Sequence, residues 1–183
     1  MILPIYTYGQ PVLRKACEDI DPTTYPELDT LIENMYETMK KSEGVGLAAP
    51  QIGKAIRLMV IGLDDLKEEF PEYEGFLHAF INPHIVEYDE SELKSMEEGC
   101  LSLPGIHEPV KRPTRIRVQW LDEKREAHDE WIEGFLARVI QHEVDHLDGK
   151  VFTDRIAPLR KQMVKSKLNA ILKGKVNCAY RIK

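Results

Sequence analysis

No apolar run long enough to cross a bilayer occurs in this sequence, which excludes a membrane-spanning helix. At the start, Met1-Ile2-Leu3-Pro4-Ile5-Tyr6, there is neither a basic lead nor a sustained apolar core. The expectation is no secretory signal and a cytoplasmic home. Cysteine is scarce: Cys17, Cys100 and Cys178 are odd in number and far apart, so they make no disulfide framework. Each is left free to be a core residue, a nucleophile or a ligand. Internal repeats, low-complexity tracts and linkers are also missing. Residues 1–183 are therefore expected to form a single domain, large enough for a real core.

Charge is plentiful but unevenly spread. The net charge is -6, yet beyond Val151 Asp154 is the only acid among Arg155, Arg160, Lys161, Lys165, Lys167, Lys173, Lys175, Arg181 and Lys183. A basic tail on an acidic body suits either a solvated helix face or a polyanionic partner such as RNA.

Helical spacing of Leu28, Leu31, Ile32, Met35 and Met39 predicts an amphipathic helix ending near Lys41. Thr24-Tyr25-Pro26-Glu27 reads as its capping box, with Thr24 as N-cap, Pro26 in the first turn and Glu27 at N3. Ile56–Ile61 reads as a strand. Asp64–Glu74 is acidic, contains Pro71, and reads as a surface insertion. Phe80–Tyr88 predicts a strand bent at Pro83, with His78 and His84 on the surface. Ile116–Trp120 and Ala127–Ile132 flank a turn at Asp122–Arg125, a hairpin pattern. A helix is expected from about Gly134 to Asp148, and a last one opening at Ala157-Pro158 and closing before Gly174.

The chemistry concentrates in Gln141-His142-Glu143-Val144-Asp145-His146. Residues i and i+4 share a helix face, so His142 and His146 can aim both imidazoles at one ion. Glu143 lies round the helix, within reach of a water on that ion, as a general base. Such a pattern also arises by accident on charged helices. Here Phe135, Leu136, Val139 and Ile140 mark the segment as buried, and buried histidines beside a carboxylate need a partner such as a cation. Gly149 stands where a helix C′ residue belongs. The extended metalloprotease pattern needs a histidine three residues later, where this chain has Phe152. A third ligand must come from elsewhere.

Two further stretches stand out. Gly44-Val45-Gly46-Leu47-Ala48-Ala49-Pro50-Gln51 contains a formal G-x-G-x-x-A. A dinucleotide site needs a strand before it and a helix after it. Here a helix precedes and Pro50 discourages one from starting. Glu97-Glu98-Gly99-Cys100-Leu101-Ser102-Leu103-Pro104-Gly105 has loop punctuation at both ends.

Taken together, Gly44–Gln51, Glu98–Ser102 and Gln141–His146, with Pro11–Lys15 ahead of them, resemble the peptide deformylase family in content and order. The resemblance implies an α+β fold: short, mostly antiparallel sheets around a central metal-binding helix, with a C-terminal helix. It implies removal of the formyl group from N-formylmethionyl nascent peptides. It makes Cys100 the third metal ligand with His142 and His146, where a buried thiol or a cysteine nucleophile were the other options. Three protein ligands leave a position open for water, the catalytic arrangement.

The family's ion is typically ferrous iron, with zinc, nickel or cobalt as substitutes, and a Cys/His/His set does not choose among them. Glu143 would move the proton. The Gln51 amide and the Leu101 backbone N–H would stabilise charge on the formyl oxygen. Matching positions place Val45, Met96, Leu101, Phe135, Val139 and His142 around the methionine side chain, the Gly46 backbone along the substrate chain, and Glu98 near the substrate and against Arg112. Competing functions are a zincin-like endopeptidase and a non-catalytic RNA- or ribosome-binding module using the basic tail. Ribosome docking through that tail is compatible with the enzyme reading.

Overall fold

The computed structural model describes residues 1–183. Three helices and five strands frame the site: α1 (Leu28–Lys41), β1 (Gly46–Ala48), β2 (Leu58–Gly62), β3 (Leu77–Cys100), β4 (Leu103–Leu121), β5 (Ala127–Glu133), α2 (Gly134–Leu147) and α3 (Pro158–Leu172). All strands join one antiparallel sheet in chain order. The α+β class holds, and β3 and β4 run longer than the short strands expected, at 24 and 19 residues.

Ten of the residues of α2 are buried, Gln141, Glu143, Asp145 and His146 among them. Its apolar side, Ala137, Val139, Ile140, Val144 and Leu147, joins one core cluster with Met59, Ile61, Phe80, Ile116 and Val118 from the sheet. A second cluster holds α1 through Leu31, Ile32, Met35 and Met39 against Leu47, Leu58 and Val60. The motif helix is thus fixed by packing on nearly every side. Gly149, at φ 75, ends α2 in the left-handed conformation expected there.

The expected capping box at Thr24 is not formed. Helix α1 starts at Leu28, and Glu27 precedes it at φ 52 with no side-chain cap. Asp21 takes the residues that would have capped it. Its carbonyl accepts from the N–H groups of Thr24 and Tyr25, and its carboxylate accepts from Thr23 N–H and Oγ1. Thr24 is spent inside this Asx turn.

Three other expectations meet refinements. The bend near Pro83 is present, with Asn82 at φ 52 and a register shift between Ile81 and His84. The acidic segment is more than a surface insertion. Asp65, Glu68, Glu69 and Glu72 are exposed, but Tyr73 is buried in the core around α2, with Leu66, Phe70 and Phe76 packed on it. The last residues do not form a free tail either. Ile182 bridges Ile5, bringing the chain's end back beside its beginning.

Candidate metal centre

The strands β3 and β4 form a hairpin whose tip is Leu101-Ser102, with Cys100 opposite Leu103. Just before the tip the register shifts: Gly99 faces His107, leaving Pro104, Gly105 and Ile106 of β4 without partners. Such a bulge bends a strand and re-aims its side chains. Here it turns Cys100 toward α2. The Cys100 Sγ lies 3.2 Å from His146 Nε2, and Cys100, His142 and His146 place one donor atom each within 4.8 Å of one another.

Beside this cluster, two buried atoms lack any hydrogen-bond partner, Glu143 Oε2 and His146 Nδ1. Burial pushes the Glu143 carboxyl up to about 7, against the pull of His142. Burial also draws His146 well below its ordinary value, favouring the neutral form that ligates. At His142, burial is outweighed by the thiol and by Glu98, which draw it upward. A cluster that offers one sulfur and two imidazoles, one of them held neutral, suits a divalent cation.

Glu98 organises the ligands. Its Oε1 accepts from His142 Nδ1 at 2.8 Å, which leaves Nε2 free for an ion. Its carboxylate also accepts from Arg112 at 2.6 and 2.9 Å and from Arg138 at 2.8 Å. Arg112 continues to Asp145, which accepts two bonds from Arg155. Burial raises the Glu98 carboxyl, but the bonds from Arg112 and His142 outweigh it and hold it well below the usual carboxylate range.

Gln51 is oriented just as firmly. Its Oε1 accepts from the Ala48 N–H at 2.9 Å, so its amide NH2 faces Ser102 Oγ (3.1 Å) and Cys100 Sγ (3.6 Å). A cavity of about 420 Å³ opens over these groups, lined by Val45, Gly46, Gln51, Cys100, Leu101, Phe135, Val139, His142 and Glu143.

The family model for polypeptide deformylase matches residues 2–162. The chain belongs to the peptide deformylase family. The deformylase of Christiangramia forsetii is 46% identical over 100% of this chain and 96% of its own. That of Flavobacterium psychrophilum is 46% identical over 100% and 97%. Among solved structures, the peptide deformylase from Thermus thermophilus superposes with a TM-score of 0.82 at 39% identity, covering 95% of this chain and 99% of that one. The Ehrlichia chaffeensis peptide deformylase in complex with actinonin gives 0.82 at 32% identity, covering 96% and 99%. The protein is a metal-dependent hydrolase that removes the formyl group from the N-terminal formylmethionine of newly made polypeptides. No helix is long and apolar enough to cross a membrane.

Most residues expected at this deformylase site converge on the cavity. Two depart. Met96 and His146 do not line it: Met96 sits two places before Glu98 on the same strand face, farther from the hairpin tip, and His146 is buried in the donor cluster. Glu98 borders the cavity, and both its carboxylate oxygens are taken by protein groups, Oε1 by His142 and Arg112 and Oε2 by Arg112 and Arg138. Its pairing with Arg112 is as expected. Sequence reasoning missed Arg138, although it lies four residues before His142 on the same helical face. It also missed Ser102, which accepts from Gln51, Asp145, which accepts from Arg112, and the C-terminal Asn177, Cys178 and Tyr180, the three of which line the cavity.

At position 46 the deformylase needs a glycine. A Cβ there would lie 2.5 Å from Glu143 Oε1. Gly46→Ala is expected to leave a folded protein whose kcat falls about tenfold through a displaced carboxylate. Steady-state rates and a circular dichroism melt check this. A fully active alanine variant would mean that Glu143 has room to spare.

Proposed function

We propose that residues 1–183 act as one catalytic domain, with Cys100, His142 and His146 holding the cation and Glu143 moving the proton. The observation that carries this reading is Glu143 Oε2, buried without a protein partner beside the donor cluster and facing a cavity. When bound, a cation there supplies a Lewis acid that makes hydroxide available near neutral pH. Glu143 accepts the proton of the attacking water. It returns that proton to the peptide nitrogen as the formyl C–N bond breaks, giving formate and a free amine.

Gln51, held by Ala48, presents its amide N–H to the formyl oxygen as negative charge grows, and the Leu101 N–H is the second donor. Val45, Leu101, Phe135, Val139 and the edge of His142 receive the methionine side chain, and the Gly46 backbone pairs with the substrate chain. We assign ferrous iron as the native ion on the family resemblance, with zinc, nickel and cobalt able to occupy the same donors. The enzyme works in the cytoplasm. Exposed Lys161, Lys165, Lys167, Lys173 and Lys175, none in an ion pair, give α3 and the segment after it a positive surface for docking on ribosomal RNA.

Anaerobic purification with metal analysis and a formyl-Met tripeptide assay tests the reading. One iron per chain, loss of turnover on chelation and its return on re-addition are expected. Preparations that hold metal yet leave the formyl group in place would overturn it. Charge reversal of the α3 lysines should weaken ribosome binding, and unchanged binding would remove that role.

A further inference from the structure

The residues of the reaction do not account for Tyr180. Its hydroxyl donates to the Leu101 carbonyl at 2.7 Å, across 79 positions of sequence. Its ring packs on the cluster that also receives Leu101, and it lines the cavity with Asn177 and Cys178.

The segment carrying Tyr180 is fastened in place. Arg181 O accepts from Ile5 N–H at 2.9 Å, Lys183 N–H donates to Ile5 O at 2.8 Å, and Lys183 O accepts from Thr7 N–H at 3.0 Å. The alternate residues of the same stretch turn the other way. Tyr6 N–H donates to Gln51 O and Tyr8 N–H to Ser102 O, both at 2.8 Å. One short extended stretch therefore ties the C-terminal segment on one side to the residues beside the cation site on the other. The hairpin tip is gripped at both its carbonyls: Leu101 O by Tyr180, Ser102 O by Tyr8.

From this arrangement we propose that Tyr180 is a positioning residue for deformylation, holding the Cys100–Ser102 turn through the Leu101 carbonyl. The inference rests on the assignment of Leu101 N–H as a donor to the formyl oxygen. Fixing the carbonyl restricts the ψ of Leu101, the residue whose own N–H must meet that oxygen at a set angle. Donors of this kind act by being in place before charge develops. A loose turn lowers kcat, while the other walls of the side-chain pocket, Val45, Phe135 and Val139, keep ground-state binding close to its wild-type level.

Tyr180→Phe keeps the ring and removes only the hydroxyl. In zinc-loaded protein, kcat on a formyl-Met tripeptide is expected to fall about 3–10-fold, the worth of one hydrogen bond, with KM and bound zinc unchanged and the melting temperature lowered by no more than about 4 °C. Hydrogen exchange at the Leu101 and Ser102 amides is expected to quicken by a similar factor. Tyr180→Leu, which also opens the packing, should add a rise in KM. Unchanged kcat and exchange in Tyr180→Phe would overturn the proposal, as would a loss of rate matched by a loss of zinc. If wild-type protein retains zinc but does not deformylate, the catalytic assignment falls instead, and amide exchange still decides whether Tyr180 holds the turn.

Discussion

Glu143→Ala is expected to bind its metal as wild type does and to lose about 10²–10⁴-fold in kcat. Its carboxylate is not one of the three clustered donors, so the cation keeps all its ligands. On the proposed assignment, what disappears is the group that takes the proton from water and hands it to the leaving nitrogen. The residual rate comes from the cation and the two formyl-oxygen donors, which the substitution leaves alone. A second signature runs the opposite way. Glu143 carries a buried oxygen without a partner, and an unsatisfied buried group costs about 1–3 kcal/mol. The metal-free alanine variant should therefore be at least as stable as metal-free wild type, the pattern of a residue kept for chemistry at the expense of stability. Metal content, steady-state rates and denaturant melts decide the matter. Turnover within about threefold of wild type would remove Glu143 as the base.

The second large effect lies one layer out. Glu98→Ala takes away the carboxylate that Arg112, Arg138 and His142 share, where Arg112 and Glu98 side chains are only 3% and 5% exposed. Breaking a buried pair by deleting one partner leaves uncompensated charge, at a cost of about 3–5 kcal/mol. Arg112 retains Asp145 and Arg138 retains the carbonyls of Val110 and Lys94, so the lower end of that range is the better expectation. His142 loses the acceptor that fixes its tautomer, and metal affinity should drop about 10–100-fold. Urea unfolding of chelated protein isolates the first effect, and a competition titration with a metal chelator isolates the second. A stability loss below about 1 kcal/mol would show that the arginines re-pair at once with other groups.

What the sequence made legible was whatever chemistry demands of neighbouring residues. His142, Glu143 and His146 lie within about one helical turn, the spacing that two ligands of one ion and a base for its water would need. Cys100 and Leu101 are neighbours in the chain, as the proposed roles of sulfur ligand and N–H donor require. Gly46 was legible as backbone beside the substrate chain, though not as the residue against which Glu143 packs. Where contact partners are distant, no local pattern announced them. Tyr180 reaches Leu101 only because Ile5–Tyr8 brings the two ends together. Arg112 and Asp145 meet only once β4 lies along α2. The acidic segment misled for another reason: its charges outnumber Leu66, Phe70 and Tyr73, and composition hides three side chains that point inward. At Thr24 a valid helix-start pattern lost to a nearer competitor, Asp21.

That acidic segment reaches the cavity without entering it. Phe70 lies parallel to Phe135, ring centres 6.0 Å apart, and the Tyr73 hydroxyl accepts from the N–H of Leu136 at 3.0 Å. Phe135 lines the cavity, and Phe70 does not. If Phe135 walls the methionine pocket as proposed, substitutions at Phe70 or Tyr73 can reshape that pocket from outside the cavity.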